Sequence, residues 1–309
     1  MKVYLAATED AYRTKEEARV RLTVPHLLTS FIGKGGYERI DRAVQAAGPA
    51  QEWCLDSGAH FFLSAFYKHH KRPPVADAER HLASLLDTVR AAPVKPFFVV
   101  ELDLQDLYGE EAVAAWRKDI FAPFEKETGV RVCYVWHAPD GQKGWDALLA
   151  SDASYLGVGG PIGPKGLPLG VATRMMLRAY EAKKPVHGFA KVKGRLLRHV
   201  PFYSVDSTSW GAGVLYGTVH HFDHRTGEMR LARAGRSAFK SNPALAGGKL
   251  AIAARRVRAS DMAGGSAGAK NLSSVYQESA DAYREFEKWF TAYWKGRGVD
   301  WSARLGEPW

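Results

Sequence analysis

The sequence predicts an α/β fold of the (β/α)8 TIM-type barrel, with a C-terminal helical extension. Short apolar runs alternate with longer amphipathic stretches, which is typical of repeated βα units around a parallel sheet. Eight strand-like runs fall within the first 219 residues, a spacing that suits a closed barrel. The chain has 309 residues and is 46% hydrophobic, which is enough to bury such a core. A doubly wound open sheet is the competing architecture.

The predicted strands are apolar runs of three to seven residues. They are Val3–Ala6, Trp53–Leu55, Pro96–Leu102, Arg131–Trp136, Tyr155–Val158, Pro185–Phe189, Phe202–Val205 and Val214–Val219. Helical spacing of apolar residues predicts helices over Tyr37–Ala47, Val75–Ala91, Gly109–Thr128, Trp145–Ala150 and Gly170–Lys183. A segment rich in Gly, Ala and Ser, Ser260–Lys270, predicts a loop before a last helix at Ser273–Trp294. We expect one domain, with its barrel core over residues 1–255 and the loop and last helix over residues 256–309.

The charge of the chain indicates a polyanionic partner. Lysine and arginine number 43 against 33 acidic residues, giving a net charge of +10. The basic residues cluster at residues 68–72, 191–199 and 255–258, with aromatic residues interleaved. A basic surface that only keeps the protein soluble is the alternative reading.

The two cysteines, Cys54 and Cys133, lie in apolar strand-like runs, so we expect reduced, buried thiols. Two such cysteines cannot form a CxxC zinc site, and we expect no metal or other cofactor. The N-terminal run is too short for a signal peptide, and nothing approaches a membrane span. These features predict a cytoplasmic protein.

Two Asp-Ser dipeptides follow apolar strands, Asp56-Ser57 and Asp206-Ser207. A carboxylate at the end of a buried strand is costly unless it projects into a polar mouth. Each aspartate could simply cap a helix or satisfy turn amides. On the barrel reading, however, other polar or small residues stand at the same end of successive strands. They are Asp103, His137, Gly159, Gly160, His187 and Gly188.

Four motifs resemble those of the tRNA-guanine transglycosylases. Leu55-Asp56-Ser57-Gly58-Ala59-His60-Phe61 looks like the family's Asp-Ser-Gly-Gly-aromatic motif. The other three resemble its Gly-Gly loop, a strand ending in a small-residue turn, and its nucleophile strand, and they are Tyr155–Gly163, Pro185–Ala190 and Phe202–Ser207. Together they span residues 53 to 210, and the resemblance implies a (β/α)8 barrel.

The resemblance implies a role for each matching residue. Asp206 matches the nucleophile, Asp56 the second catalytic aspartate, and Asp103 and Gly160 the purine-binding groups. His137 stands where the family has a base-reading glutamine, and His60, followed by Phe61 and Phe62, stands where it has a base-stacking aromatic. Gly159, His187 and Gly188 complete the expected base site. This chain has no cysteine beyond Cys133, so it lacks the zinc ligands of the tRNA enzymes.

The missing zinc ligands make the chain resemble most the DNA-modifying branch of the superfamily, found in bacteria and phages. That resemblance implies exchange of guanine in DNA for a 7-deazaguanine such as 7-cyano-7-deazaguanine, through a covalent aspartyl intermediate on a flipped nucleotide. DNA and the free base are the expected partners. The phosphate contacts are expected from Lys191, Lys193, Arg195 and Arg198, and from Lys68, Lys71 and Arg72. Exchange on tRNA, a hydrolytic N-glycosidase and a non-catalytic nucleic-acid-binding subunit stay open.

Overall fold

A computed structural model describes residues 1–6, 26–31, 52–211, 218–233 and 269–307 of the chain, with side chains from 277 onward in the last range. Eight parallel strands form a closed barrel in which sequence order and spatial order coincide. They are β1 Lys2–Ala6, β2 His26–Ser30, β3 Glu52–Asp56, β4 Phe98–Val100, β5 Arg131–Trp136, β6 Tyr155–Val158, β7 Val186–Gly188 and β8 Ser204–Ser207. The predicted (β/α)8 barrel is therefore confirmed.

Helices and turns connect the strands along the outside of the barrel, as βα units require. They are α1 Ala59–His69, α2 Val75–Ala91, α3 Gln105–Tyr108, α4 Glu110–Trp116, a π-helical segment Arg117–Phe121, α5 Ala122–Thr128, a 3-10 turn Ala138–Asp140, α6 Gly141–Ala150, α7 Leu169–Glu181 and α8 Gly194–Leu197. Beyond the barrel come a 3-10 turn Ser209–Gly211, a hairpin of β9 Thr218–Asp223 and β10 Glu228–Arg233, then α9 Ala269–Lys295 and α10 Trp301–Leu305.

One predicted strand was wrong. The eighth strand was expected at Val214–Val219, but the barrel closes earlier, where β8 pairs in parallel with β1 through Val3 and Val205. Thr218 and Val219 instead begin the antiparallel β9–β10 hairpin. The barrel strand that the sequence did not predict is β2, which lies between β1 and β3. Residues 214–217, the predicted helix Tyr37–Ala47 and the cluster at 255–258 lie outside the described residues.

Tight packing fills the barrel interior. Tyr4, Phe98, Tyr155 and Tyr203 each show at most 1% of their surface, and the Phe98 and Tyr155 rings stack 4.6 Å apart. Because the interior is a packed core, chemistry is confined to the carboxyl ends of the strands. We call this end the barrel mouth.

Candidate active site at the barrel mouth

Asp56 is the last residue of β3 and lies at the barrel mouth, as predicted. The Ser30 hydroxyl, on the neighbouring strand, donates to Asp56 Oδ2 at 3.0 Å. Burial raises the pKa of Asp56 to about 7, and the negative charges of Asp103 and Asp206 add to the rise against the Ser30 hydrogen bond. Three carboxylates therefore share one electrostatic environment, and Asp56 can both give and take a proton near neutral pH.

Gly58 makes the turn that leads from Asp56 into α1. Its φ of +79° is in the left-handed region, and a Cβ there would lie 2.3 Å from the carbonyl oxygen of Phe31. The Phe31 amide in turn donates to the Asp56 carbonyl at 2.9 Å. Only glycine fits this close approach, so the turn fixes where α1 starts relative to the carboxylate.

Asp206 lies in β8 and its side chain is only 9% exposed. Its Oδ1 accepts from the Ala190 amide at 2.6 Å and from His187 Nε2 at 3.2 Å. Within the described ranges, its Oδ2 makes no hydrogen bond. Two donors thus hold one carboxylate oxygen in place, while the other is available to a substrate.

His187 was expected to line the base site. It is fully buried, however, and contacts Asp206 from inside the barrel. Its Nδ1 lies 2.7 Å from Ser204 Oγ, which lies 2.7 Å from the Tyr155 hydroxyl. The two ring nitrogens therefore join the Asp206 carboxylate to the Ser204 hydroxyl. This chain of hydrogen bonds fixes the orientation of the Asp206 carboxylate.

The Ser204, His187 and Asp206 side chains have the residue types of a hydrolase triad. Ser204 and His187 are both 0% exposed, so no substrate carbonyl can reach the hydroxyl. The arrangement is therefore a support for Asp206.

Asp103 follows β4 and pairs with His137, which follows β5. His137 Nε2 lies 2.9 Å from Asp103 Oδ2, and this hydrogen bond is the main cause that raises the pKa of His137. The Asp140 carboxylate accepts from the His137 amide at 2.7 Å and fixes its backbone. The pair presents a carboxylate and an imidazole side by side at the mouth, and the carboxylate favours the protonated form of the imidazole.

The two glycines after β6 differ in what they can do. A Cβ on Gly159 would lie 2.5 Å from His137 Cε1, so this glycine makes room for the imidazole. The Gly159 amide already donates to the Trp136 carbonyl at 2.9 Å. Gly160 is exposed, and its amide makes no hydrogen bond within the described part of the chain. Of the two amides expected to face a base, only that of Gly160 is available.

Gly188, also expected at the base site, has a packing role in the barrel. A Cβ there would lie 3.0 Å from the Phe202 ring and from Lys191 Cγ. The residue is buried in β7 between β6 and β8. It brings the β7 end close to its neighbours and places Ala190 beside Asp206.

Exposure separates the three rings after Asp56 that were candidates for stacking on a base. Phe62 is 7% exposed and packs on the His81 ring, so it belongs to the core. Phe61 is 58% exposed, and His60 is exposed with its Nε2 3.0 Å from Ser64 Oγ. His60 and Phe61 therefore remain the rings that a substrate can reach.

The predicted phosphate contacts divide into buried and exposed groups. Lys191 is 8% exposed and donates to the Phe189 carbonyl at 2.6 Å, and burial lowers its pKa. It is therefore not a rim residue. Arg198 pairs with Glu228 at 3.5 Å. Lys193 and Arg195 are exposed at the start of α8, and Lys68 is exposed in the last turn of α1, with Lys71 and Arg72 exposed after it.

Sequence reasoning missed a buried ion pair beneath Asp103. Glu101 is 0% exposed, and its carboxylate accepts from Arg117 Nε at 2.6 Å and from Arg117 Nη2 at 2.5 Å. The Val135 amide also donates to Glu101 Oε1 at 2.6 Å. The sequence does contain a sign of this pair, because a glutamate stands between Val100 and Leu102 in an otherwise apolar run. Such a residue is normally paired.

Two absences concern the described residues only. None of the described helices is long and apolar enough to cross a membrane. No group of three or more His, Cys, Asp or Glu side chains there could hold a metal ion. Both cysteines are free and buried, as expected.

The structure defines the protein's class as a closed parallel β/α barrel with carboxylates at its mouth. No family model and no curated protein matches the sequence. The chain is similar to the solved structure of thiamine phosphate pyrophosphorylase from Pyrococcus furiosus, at 12% identity and a TM-score of 0.38, over 69% of this chain and 87% of that one. It is also similar to FabK from Thermotoga maritima, at 14% identity and a TM-score of 0.38, over 96% of each chain. Neither similarity bears on the reaction.

Proposed function

We propose that this protein is a transglycosylase that replaces guanine in DNA with a 7-deazaguanine through a covalent aspartyl intermediate. The observation that carries the proposal is the set of three carboxylates at one barrel mouth, in which Asp56 has a pKa of about 7 while Asp206 is held by two donors. This pairing of a proton-transfer group with a fixed carboxylate is what retaining glycosyl transfer requires. The resemblance of the four sequence motifs to those of the guanine transglycosylases indicates a guanine-type substrate.

In the first step, Asp206 Oδ2 attacks C1′ of the target guanosine. The C1′–O bond forms as the C1′–N9 bond breaks, and the electron pair goes to N9 of the departing guanine. Protonated Asp56 supplies the proton that N9 takes up. With a pKa of about 7, a large share of Asp56 is protonated at neutral pH.

In the second step, the Asp56 carboxylate removes the N9 proton of the incoming 7-deazaguanine. N9 then attacks C1′, and the Asp206 oxygen leaves with the electron pair of the broken ester bond. Two displacements at one carbon restore the original configuration. Asp103 accepts from N1–H and the amino group of the base, and the Gly160 amide donates to O6.

The test uses plasmid DNA and tRNA, each incubated with the protein and 7-cyano-7-deazaguanine, then digested to nucleosides for mass spectrometry. We expect the modified nucleoside from DNA with the wild type and none with Asp206→Asn, because an amide of the same shape cannot attack C1′. Asp152→Asn, an exposed aspartate in the turn before β6, is the matched control and should act as wild type.

Three results would contradict the proposal. Turnover by Asp206→Asn above about a hundredth of wild type would show that Asp206 is not the nucleophile, since loss of a nucleophile typically lowers turnover by several powers of ten. Modification of tRNA alone would move the reaction to RNA. Release of guanine from DNA without incorporation would identify a hydrolytic N-glycosidase that uses the same carboxylates.

A further inference from the structure

The solvent-facing side of α1 has an unusual composition. Five of its six exposed residues follow helical spacing and form one continuous face, and His69 lies off that face. We call it the α1 face, and its residues are His60, Phe61, Ser64, Tyr67 and Lys68. The helix contains no acidic residue, and its other side packs Ala59 and Phe62 into the core. A surface helix normally turns charged and polar side chains to water. Here two aromatic rings, Phe61 at 58% and Tyr67 at 59% exposure, stand among basic and small polar groups.

Both ends of α1 lie at the barrel mouth. The helix begins three residues after Asp56. At its other end, the Tyr67 hydroxyl donates to Asp106 at 3.3 Å, and Asp106 comes three residues after Asp103. The α1 face therefore runs along the rim from one mouth carboxylate toward the other. Over its length, about 10 Å separates Phe61 from Lys68 along the helix axis.

The turn after α1 is basic and held in place. Lys71 and Arg72 are exposed in this turn, and Lys68 is exposed in the last turn of α1 just before it. The Arg72 guanidinium lies 4.9 Å from the centre of the Tyr108 ring, and the Tyr108 hydroxyl donates to the Pro73 carbonyl at 3.0 Å. His70 closes the helix in the left-handed region, with its amide donating to the Phe66 carbonyl at 2.6 Å. This basic turn is thus organised before any partner arrives.

We propose that the α1 face and the basic turn bind an unpaired DNA strand next to the target nucleotide. Exposed rings stack on unpaired bases whatever their sequence, and a neighbouring row of cations neutralises the phosphates. The Asp106 carboxylate accepts from the Tyr67 hydroxyl, and this bond orients the Tyr67 ring.

The composition favours this partner over an anionic membrane, because Phe61 is the one wholly apolar side chain among the five of the α1 face, whereas a helix at a membrane surface inserts a continuous apolar face. The inference deepens the proposed function, since a flipped guanosine must be reached from a locally opened duplex. The proposal also predicts that the unpaired DNA strand lies along α1. It does not place that DNA strand along the segment that leads into α8, where Lys191 is buried.

Binding is tested by fluorescence anisotropy with a labelled oligothymidylate of about 12 nucleotides and a hairpin duplex, without any added base. Phe61→Ala with Tyr67→Ala should raise the Kd for the single strand about tenfold or more, and that for the duplex by less than about threefold. Phe61→Tyr keeps both rings and the Tyr67 hydroxyl and should retain wild-type affinity. Thermal melting by circular dichroism verifies that each variant folds.

The contribution of Lys68 and of the basic turn is tested through the salt dependence of binding. Lys68→Gln with Lys71→Gln should flatten the log–log slope by about 1.4, or about 0.7 for each lost contact to a single strand. The control, Lys126→Gln with Lys183→Gln, removes the same charge from exposed positions before β5 and β7, at the other end of the barrel, and should leave the slope unchanged.

Single-strand affinity within about twofold of wild type in the ring-deleted variant would overturn the inference. So would unchanged oligonucleotide binding together with lost binding to phosphatidylserine vesicles, which would identify a membrane surface. The outcome is separable from that of the proposed function, because no turnover is measured and Asp206→Asn should bind the strand as wild type does. Strand binding along α1 without base exchange would refute the reaction alone.

Discussion

At the residue scale, the Asp56 carboxyl carries the strongest physical signature of the site. Burial and two neighbouring carboxylates favour its protonated form in the folded protein. In the unfolded chain it ionises near its ordinary pKa of 3.8. The same feature that suits proton transfer therefore has a stability consequence that needs no substrate to measure.

The folded protein binds the Asp56 proton more tightly than the unfolded chain does. Between pH 4 and pH 7 the unfolded state loses this proton while the folded state retains it, so the contribution of Asp56 to the unfolding free energy falls as pH rises. Asparagine cannot ionise. We expect Asp56→Asn to be more stable than wild type by about 1–3 kcal/mol at pH 8, and the difference to vanish near pH 4.

Urea unfolding at pH 4, 6 and 8 measures the difference for Asp56→Asn and for the exposed control Asp152→Asn. The control should show no pH-dependent gain. If Asp56→Asn has the same advantage at pH 8 as at pH 4, the carboxyl ionises normally in the folded protein. Proton transfer by this residue would then lose its physical basis.

His187 shows the limit of reasoning at single positions. The sequence places it at a strand end, but side chains along a strand alternate between the interior and the surrounding helices. His187, Ser204 and Asp206 turn the same way because β7 and β8 pair with His187 opposite Ser204. That register decides whether the imidazole meets a substrate or a carboxylate, and no local pattern specifies it.

At the element scale, the π-helical segment Arg117–Phe121 connects the outer helices to the site. It presents the Arg117 guanidinium to the buried Glu101 carboxylate, and Arg117 Nη2 also donates to the Val135 carbonyl at 3.2 Å. The Ser57 hydroxyl donates to the Glu101 carbonyl at 2.7 Å. These bonds join the ends of β3, β4 and β5, which carry Asp56, Asp103 and His137.

Removing one member of this pair should cost much more than removing both. Arg117→Met leaves Glu101 buried without its cation, and we expect a loss of about 3–5 kcal/mol in unfolding free energy. Burial already raises the pKa of Glu101 despite Arg117. The double variant Arg117→Met with Glu101→Gln removes both charges and should recover a large part of that loss. A double-mutant cycle in urea measures the coupling between them.

A coupling energy below about 0.5 kcal/mol would mean that the two charges act independently and that the pair does not brace the strand ends. Arg178→Met is the matched control, because Arg178 pairs with Asp146 at 2.6 Å but both side chains are nearly half exposed. Such a surface pair contributes at most about 1 kcal/mol.

The sequence predicted elements best where the local pattern is strong. The helix Val75–Ala91 and the strands Arg131–Trp136 and Tyr155–Val158 have the predicted bounds. The strand β2 was missed because His26–Ser30 is short and polar at both ends, and only its pairing with β1 and β3 makes it a strand. The mouth aspartates were predictable from their place after apolar runs, whereas α1 and its exposed face became visible only in three dimensions.

At the scale of the whole molecule, the barrel closes where β8 pairs with β1, with Val205 opposite Val3. The long helix α9 strengthens this closure. Its Glu287 carboxylate accepts from the Val3 amide at 2.7 Å, and the Tyr283 hydroxyl lies 3.0 Å from Ser207 Oγ, one residue after Asp206. The C-terminal region therefore holds both the first strand and the end of the strand that carries the proposed nucleophile.

This arrangement predicts that the barrel and the C-terminal region unfold as one cooperative unit. Phe286 on α9 is 0% exposed, packs on Phe222 of the β9–β10 hairpin and belongs to the same hydrophobic core as Leu82 on α2. Phe286→Ala and Leu82→Ala should each lower the unfolding free energy by about 2–5 kcal/mol. Both should shift a single transition, followed by tryptophan fluorescence and by circular dichroism in urea. An independent C-terminal unit would instead give two transitions, with Phe286→Ala moving only one of them, because a cavity destabilises only the cooperative unit that contains it.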